Sequence, residues 1–497
     1  MSATIYKSSS PDLELAKVDL LTYIFSNPHG VPDSKPLYID ATSSKTRTFG
    51  DVKQRTKSLT KGLQDLGVKE GDVVTFFSPN SIDYAINCYA IIGCGATVSP
   101  VSSALNPTEL RHQLQTAESK IIIAHSSLVA TARTAAKGTR IERVLQADGH
   151  KDDSGNDTTE TLAANNPPGK LVTIPADRLA THIAFICFSS GTTGKAKGVI
   201  TTHANIVANV QQWDAHLVRD MDHNAPLIAF LPMSHIYSLC LHLCQFVYNT
   251  TTMIVLSKFD LDVYLGAIQR YKVKDLILVP PVLLALAKDP RVQTYDISSL
   301  ETLLSGAAPI SVALMQSLEA QFKKRYHKQL HCFEAWGMTE TSPISIGMPK
   351  AMDEGKRHQG IGTIVPNVQC RLVDAETGKD VAPPAAPEKA GSFTTSGVGE
   401  LFISGPNICA GYYRNEKATT DSFSIDKDGR RWFMTGDIAT IDSDGIVKIH
   451  DRSKVCRALE ISKNRYAALA TGELYSVLHS HPDMPVIPLD VSNSQIY

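Results

Sequence analysis

Apolar residues recur along the first part of the chain in two alternating patterns. Over residues 48–66 they return every three or four positions, which predicts a helix that buries one face. Residues 73–77 and 120–125 are short apolar runs that predict buried strands, and residues 81–93 predict an apolar helix. Helices and strands that alternate in this way favour parallel βαβ layers, so we expect an α/β fold.

The alternation continues beyond a polar interruption. Residues 147–169 are rich in glycine and asparagine and predict an exposed excursion. Residues 227–231, 252–256 and 275–279 then predict three further strands, with a helix over Leu261–Tyr271 between the last two.

The composition shifts near residue 362 towards valine, isoleucine, glycine and proline. Residues 368–373 and 399–403 predict strands of a small, mostly antiparallel subdomain. The sequence Asp442-Ser443-Asp444-Gly445 before another apolar run predicts a hairpin turn.

Composition narrows the function classes. The 497 residues contain 49 Lys and Arg against 50 Asp and Glu, so the net charge creates no strong electrostatic field that would favour binding to nucleic acid or to an anionic membrane. The nine cysteines lack any CxxC or zinc spacing, which favours buried free thiols in a reducing compartment. The N-terminus has no apolar signal core, and the apolar residues 276–287 are too few to span a bilayer. We therefore expect a soluble cytoplasmic protein.

Residues 185–199, FICFSSGTTGKAKGV, form the first candidate site. An apolar strand leads into serines, glycines and threonines and then into Lys195 and Lys197. Glycines let backbone N–H groups turn towards an anion, hydroxyls donate hydrogen bonds and lysines neutralise charge, so the stretch suits a polyphosphate. The spacing is not that of a Walker A loop. A flexible surface loop is the alternative.

Two stretches predict a pocket. The small residues Ser305-Gly306-Ala307-Ala308-Pro309 end a predicted strand and leave space for a pocket floor, or they are a plain connector. The second stretch is residues 333–343. In it, Trp336 can stack on a flat base, Thr339 can bond a phosphate oxygen and Glu340 can ligate Mg²⁺. A buried tryptophan and a helix cap are the structural alternatives.

Asp437 follows a predicted strand and can accept two sugar hydroxyls side by side, although a turn-capping aspartate has the same appearance. Together with the stretches above, in this order, it makes residues 48–454 resemble the adenylate-forming superfamily. The nearest resemblance is to acyl-CoA synthetases close to plant 4-coumarate–CoA ligases and beetle luciferases.

The resemblance implies a large N-terminal domain of two layered α/β subdomains plus a β-rich one, followed by a small α+β domain. We assign these to residues 1–450, with the β-rich part at about 362–450, and to residues 451–497. The implied reaction joins a small carboxylic acid to ATP as an acyl-adenylate and then transfers the acyl group to CoA, with Mg²⁺ as the cation. No protein nucleophile is required.

The resemblance also implies roles for individual residues. His235, Thr339, Glu340 and Lys195 would act beside the reacting groups, His235 more as a positioning group than as a base. Glu340 would be the residue linked to Mg²⁺. The residues that would bind ATP are Ser189, Ser190, Gly191, Thr192, Thr193, Gly194, Lys197, Ala335, Trp336, Gly337, Thr339, Asp437 and Arg452.

An acyl pocket is implied as well, lined by residues of small or moderate size that suit an aryl or medium-length acyl group. These residues are His235, Tyr237, Gly306, Ala307, Ala335, Pro343 and Ile344.

The sequence departs from the family beyond Lys454. Residues 455–471 lack the family's lysine- and glycine-containing turn, residues 472–482 return to the pattern, and no residue matches the lysine that relatives place near the α-phosphate. We therefore expect a hinge followed by a truncated C-terminal domain, slow adenylation and poor transfer to CoA. A misassigned splice junction near Val455 would give the same signature, and a lost C-terminus would leave a peroxisomal location open.

Three functions remain open on the sequence. The first is an ATP-dependent acyl-CoA ligase. The second is an adenylating enzyme that passes its acyl group to a carrier-protein thiol or to oxygen. The third is a catalytically idle protein that binds ATP and an acid.

Overall fold

The computed structural model describes residues 4–189, 195–218, 221–349, 352, 354–385 and 394–452. The predicted hinge and C-terminal domain lie outside the described residues, apart from the end of the last strand. The strands are β1 (Tyr6–Lys7), β2 (Pro36–Asp40), β3 (Thr46–Thr48), β4 (Val73–Phe77), β5 (Thr97–Val101), β6 (Ile121–Ala124), β7 (Arg143–Gln146), β8 (Ile183–Ser189), β9 (Lys197–Thr202), β10 (Leu227–Ala229), β11 (Met253–Val255), β12 (Asp275–Leu278), β13 (Thr302–Ser305), β14 (His331–Gly337), β15 (Ile344–Gly347), β16 (Thr363–Ile364), β17 (Gln369–Val373), β18 (Gly399–Ser404), β19 (Gly411–Tyr412), β20 (Phe423–Ile425), β21 (Arg431–Ile441) and β22 (Val447–Arg452).

The α-helices are α1 (Leu20–Ile24), α2 (Phe49–Asp65), α3 (Tyr84–Gly93), α4 (Pro107–Thr116), α5 (Val129–Ala136), α6 (Thr159–Asn165), α7 (His203–His216), α8 (Ile236–Cys240), α9 (Phe246–Tyr248), α10 (Leu261–Tyr271), α11 (Pro280–Lys288), α12 (Val312–Tyr326) and α13 (Glu416–Ser422). A π-helical turn, Leu241–Gln245, joins α8 to α9. Short 3₁₀ turns include Thr339–Thr341.

A seven-stranded sheet forms the first α/β layer, in the order β19-β9-β8-β5-β4-β6-β7. Strand β4 pairs in parallel with both β5 and β6, and β5 pairs in parallel with β8. The predicted βαβ alternation is therefore confirmed. Strands β8 and β9 form an antiparallel hairpin at the side of this sheet, and their connection carries the predicted phosphate loop.

The second α/β layer consists of two neighbouring sheets. In the five-stranded sheet β12-β13-β14-β15-β16 the first three strands are parallel. The four-stranded sheet β10-β11-β2-β3 lies beside it, with β10 close to β12. These two layers confirm the α/β class.

The composition shift near residue 362 coincides with a six-stranded antiparallel sheet in which β1-β17-β18-β21-β20 are neighbours and β22 pairs with β21. The predicted hairpin joins β21 to β22, where Gly445 has a φ of 81° and its N–H donates to the Asp442 carbonyl at 3.0 Å. Strand β1, from the start of the chain, completes this sheet by pairing with β17. The sequence patterns did not predict that pairing.

The prediction of an exposed excursion over residues 147–169 is wrong for its second half. Helix α6 packs against α2, and Thr158, Thr159 and Thr161 are buried. The Thr159 hydroxyl donates to Asn87 Oδ1 at 2.6 Å and to the Ala147 carbonyl at 3.0 Å. Threonines whose hydroxyls find partners can be buried, so polar composition misled the prediction.

Buried thiols are present as expected. Eight of the nine cysteines lie in the described part of the chain, and all eight are free and buried. Cys240 and Cys244 lie in the α8–π–α9 segment, where burial raises the pKa of both thiols. None of the helices in the described part of the chain combines the length and the apolar character that crossing a bilayer requires.

Asn80 joins the two α/β layers. Its amide nitrogen donates to the carbonyls of Phe230 and Leu231 at 3.2 and 2.9 Å, and its Oδ1 accepts from the Met233 N–H at 2.8 Å. The amide therefore fixes the segment that leads from β10 to His235.

We expect Asn80→Ala to lower the free energy of unfolding by about 3 kcal/mol, because it leaves buried donors and acceptors without partners. Thermal and urea unfolding measure the change. Asn156→Ala, at an exposed asparagine, is the matched control and should stay within about 0.5 kcal/mol of the wild type. Equal stability of both variants would contradict the assigned role of Asn80.

Candidate functional site

The candidate site lies where the two α/β layers meet the antiparallel sheet. The carboxyl ends of parallel strands β13 and β14 deliver Gly306 and Trp336, and ligands commonly bind at that edge of an α/β sheet. The 3₁₀ turn Thr339–Thr341 follows β14 directly and packs against both strands of the β8–β9 hairpin. Several predicted motifs are thereby brought to one region.

The predicted phosphate loop sits at the end of that hairpin. Ser189 pairs with Lys197 across the two strands at the end of the hairpin. Lys195 is exposed and Lys197 is half-buried. The remaining loop residues predicted to bind ATP lie outside the described residues; these are Ser190, Gly191, Thr192, Thr193 and Gly194.

A cavity of ≈ 260 Å³ lies beside the base of this loop, and Lys195, Lys197 and His112 are among the side chains that line it. A larger cavity of ≈ 360 Å³, lined in part by Glu70, Arg178 and His182, includes none of the predicted site residues.

Tyr412 links the phosphate hairpin to Glu340. Its hydroxyl donates to Glu340 Oε1 at 2.9 Å, and Lys197 Nζ lies 4.8 Å from the centre of its ring. Glu340 is 5% exposed, so the hydrogen bond holds a buried carboxylate. Burial, together with the charge of Glu340 and this hydrogen bond, raises the pKa of Tyr412, which therefore keeps its proton.

The turn Thr339–Thr341 is also fixed through its backbone. The Cys409 N–H donates to the Glu340 carbonyl at 2.8 Å, and Asn407 Nδ2 donates to the Thr341 carbonyl at 2.7 Å. Thr339 is 9% exposed at the start of the turn. Thr339 and Glu340 are therefore held in fixed positions beside the hairpin.

Trp336 and Asp437 are in direct contact. The indole Nε1–H donates to Asp437 Oδ2 at 2.8 Å, from β14 of one sheet to β21 of another. Asp437 pairs in register with Arg452 on β22, but the side chain of Arg452 lies outside the described residues. Trp336, which is predicted to stack on the base, and Asp437, which is predicted to bind the sugar, are therefore neighbours.

Tyr237, Gly306 and Ala335, which are predicted to line the acyl pocket, lie close together. A Cβ on Gly306 would lie 3.3 Å from the Tyr237 hydroxyl and 3.5 Å from the Ala335 carbonyl oxygen, so glycine keeps this space open. The Tyr237 hydroxyl is buried and has no hydrogen-bond partner among the described residues, and burial raises its pKa.

The other predicted pocket residues differ in exposure. Ala307 is exposed and adopts a left-handed φ of 70°, whereas Pro343 is buried. Ile344 is 2% exposed and belongs to the hydrophobic core, and its carbonyl accepts from Asn209 Nδ2 at 2.6 Å. Gly337 passes so close to Pro343 that a Cβ would overlap the Pro343 carbonyl, which explains glycine there.

His235 caps helix α8, with its Nδ1 accepting from the Tyr237 N–H at 3.3 Å. Its side chain is exposed, yet the protein packed around it desolvates the charged imidazolium and lowers its pKa. A neutral ring two residues from Tyr237 can donate a hydrogen bond from Nε2 while Nδ1 serves the helix.

Glu334 is a site residue that the sequence did not single out. It precedes Ala335 on β14, and its Oε1 accepts from the Ile310 N–H at 3.0 Å. Desolvation by burial raises its pKa to about 7, against which the hydrogen bond from Ile310 acts.

Tyr412 was missed as well. It lies 72 residues from Glu340 in the sequence, so no local spacing connects the two. The one local signal is an aromatic pair, Tyr412-Tyr413, directly after a glycine and before the cap of α13.

The sequence and the fold are similar to those of known proteins. The family profile described as AMP-binding enzyme matches residues 26–413. 4-coumarate–CoA ligase 1 of Petroselinum crispum is 32% identical over 499 residues, which are 98% of this chain and 85% of the relative. Peroxisomal OPC-8:0-CoA ligase 1 of Arabidopsis thaliana is 31% identical over 478 residues, 95% of this chain and 81% of the relative. The crystal structure of a long-chain-fatty-acid–CoA ligase (FadD1) from Archaeoglobus fulgidus superimposes with a TM-score of 0.80 at 26% identity, covering 93% of this chain and 89% of that one.

We expect Glu334→Gln to change the pH dependence of stability. The carboxyl titrates near pH 7 in the folded chain and near 4.3 when unfolded, so the wild type loses stability as the pH rises from about 4.3 to 7. The glutamine variant keeps an acceptor for Ile310 but has no charge to desolvate.

At pH 8 the variant should therefore be more stable than the wild type by roughly 2 to 3 kcal/mol, with a smaller difference at pH 5. Urea unfolding at both pH values measures this. A difference that does not depend on pH would show that Glu334 does not titrate in this range.

Proposed function

Since the chain belongs to the AMP-binding enzyme family and is an AMP-forming acid–thiol ligase, we propose that the candidate site activates an aryl or medium-chain carboxylic acid with ATP. The observation that carries the site assignment is the set of contacts Lys197–Tyr412–Glu340, which joins the phosphate hairpin to the turn after β14.

The chemistry has two displacements. First, a carboxylate oxygen of the acid bonds to the α-phosphorus of ATP, the bond from that phosphorus to the α,β-bridging oxygen breaks, and pyrophosphate leaves. Then the thiol sulfur of CoA bonds to the acyl carbon and loses its proton to water, the bond from that carbon to the phosphate oxygen breaks, and AMP leaves. Both steps need reactants held in line and charge neutralised, and neither needs a nucleophile from the protein.

Each part of the candidate site has a proposed role in the first step. Loop residues 189–197, with Lys195 and Lys197, would neutralise the β- and γ-phosphates, and Thr339 would donate to the α-phosphate. Trp336, between Ala335 and Gly337, would stack on adenine, while Asp437 and Arg452 would bind the ribose hydroxyls.

Glu340 fits the requirement for holding Mg²⁺. The cation prefers oxygen ligands and is usually held by one or two carboxylates together with substrate phosphates and water. Glu340 supplies a buried carboxylate, and no group of three or more potential metal-ligating side chains forms among the described residues. When bound, Mg²⁺ would neutralise charge on the phosphates.

The pocket floor favours an acid that carries a hydrogen-bonding group. A buried hydroxyl without a partner is costly, and a polar substituent on the acid could satisfy that of Tyr237. Ala307, Pro343 and Ile344 would complete the walls. His235 would donate to the substrate carboxylate as a neutral positioning group, consistent with its lowered pKa.

We propose CoA as the thiol, in preference to a carrier protein, because the relatives that match are named as CoA ligases. For the compartment we propose the cytoplasm, with the peroxisome, where one relative is placed by its name, as the alternative. Imaging of the tagged chain distinguishes the two.

Acid-dependent exchange of ³²P-pyrophosphate into ATP tests the proposal. We expect slow exchange with at least one member of a panel of hydroxylated aryl acids and medium-chain acids, and thioester formation that is slow relative to exchange after CoA is added. ATP binding without exchange for any acid would overturn the proposal and favour an idle binding protein. Exchange without thioester would restrict the proposal to the first step.

Tyr412→Phe should lower the exchange rate by roughly 10- to 100-fold, because partners that orient a metal-linked carboxylate usually matter to that extent. The loss should shrink as Mg²⁺ is raised. Tyr264→Phe removes another buried hydroxyl, one without a partner in the described part of the chain, and serves as the matched control. Equal activity of Tyr412→Phe and the control at limiting Mg²⁺ would contradict the role of Tyr412.

A further inference from the structure

The hydrogen bond between Trp336 and Asp437 connects two sheets. Trp336 is the last residue but one of β14, and the register with β15 shifts between Trp336 and Gly337. The indole directs its N–H at a carboxylate 101 residues further along the chain.

The backbone around Asp437 is held by other groups. The Asp437 N–H donates to Thr435 Oγ1 at 3.0 Å, and the Thr435 hydroxyl donates to the Leu401 carbonyl at 2.7 Å. The Gly436 N–H donates to Glu400 Oε1 at 3.1 Å. These bonds fix the strand, and the indole N–H of Trp336 donates to the carboxylate that the strand carries.

The hydrogen bond does not use the face of the indole. An indole donates in the plane of its ring, so the hydrogen bond uses the ring edge and neither π-face. A carboxylate has about four lone-pair positions, and the indole N–H uses one of those on Asp437. At 3% exposure, Asp437 has few competing water positions.

We propose that Trp336 is a positioning residue for Asp437, in addition to any stacking on the base. It holds the carboxylate in the orientation that accepts two adjacent ribose hydroxyls, so one side chain couples recognition of the base to recognition of the sugar. This inference rests on the proposed function. It separates two effects of Trp336, stacking through the ring face and orientation through the N–H.

Trp336→Phe removes the N–H and keeps an aromatic face. We expect it to weaken ATP binding about tenfold, in line with the loss of one hydrogen bond to a charged group. With 2′,3′-dideoxy-ATP, which has no ribose hydroxyls for Asp437 to accept, the variant and the wild type should bind within about twofold of each other. Titration calorimetry with both nucleotides measures the difference.

The chain contains a matched control. Trp432 lies on β21, the strand that carries Asp437, and donates its Nε1–H to Asp426 Oδ2 at 2.8 Å. Trp432→Phe therefore removes an equivalent hydrogen bond that does not involve Asp437. We expect Trp432→Phe to bind both nucleotides as the wild type does. Equal losses for ATP and the dideoxy analogue in Trp336→Phe, or no loss with either, would overturn the inference alone. Binding of neither nucleotide by the wild type would overturn the proposed function and this inference with it.

A measurement without nucleotide checks the hydrogen bond itself. The chain has three tryptophans, so a ¹⁵N-labelled sample should give three indole cross-peaks, which Trp336→Phe and Trp432→Phe assign. Asp437→Ala should move the Trp336 cross-peak and leave that of Trp432 in place. An unmoved Trp336 cross-peak would overturn the inference.

Discussion

The antiparallel pairing of β19 with β9 is the contact on which the candidate site depends. It places Tyr412 opposite Val199, two residues after Lys197, and so brings one aromatic ring between a lysine of the phosphate hairpin and the carboxylate of Glu340. Without that pairing, the hairpin of the first layer and the turn after β14 in the second would share no polar contact through Tyr412. The site is therefore a property of how the layers are joined and not of any one sheet.

Much of the α/β part could be predicted because its strands are continuous apolar runs. The strand Val73–Phe77 and the helix Leu261–Tyr271 occur with the predicted bounds. A strand buried on both faces is a continuous apolar run, and a helix buried on one face has apolar residues every three or four positions, so both can be recognised in the sequence. Helix α6 could not be predicted, because two of its three buried residues are threonines, and one of them, Thr159, has its hydrogen-bond partners in α3 and in the segment after β7.

The site was predicted unevenly for the same physical reason. Trp336, Thr339 and Glu340 are neighbours in sequence, so their residue types could be interpreted together. The hydrogen bonds of Trp336 with Asp437 and of Glu340 with Tyr412 join positions 101 and 72 residues apart, and no spacing in one sequence encodes such pairs. The raised pKa of Glu334 likewise depends on burial that only the packed structure supplies.

The pairing of β1 with β17 has a consequence for synthesis of the chain on the ribosome. Tyr6 pairs with Cys370, and Asn367 exchanges hydrogen bonds with Leu13 at 3.0 and 3.1 Å. Strand β1 is therefore synthesised several hundred residues before its partner β17, and contacts of such long sequence separation slow folding. A bulky group attached close to Tyr6 would interfere with the closing of this sheet.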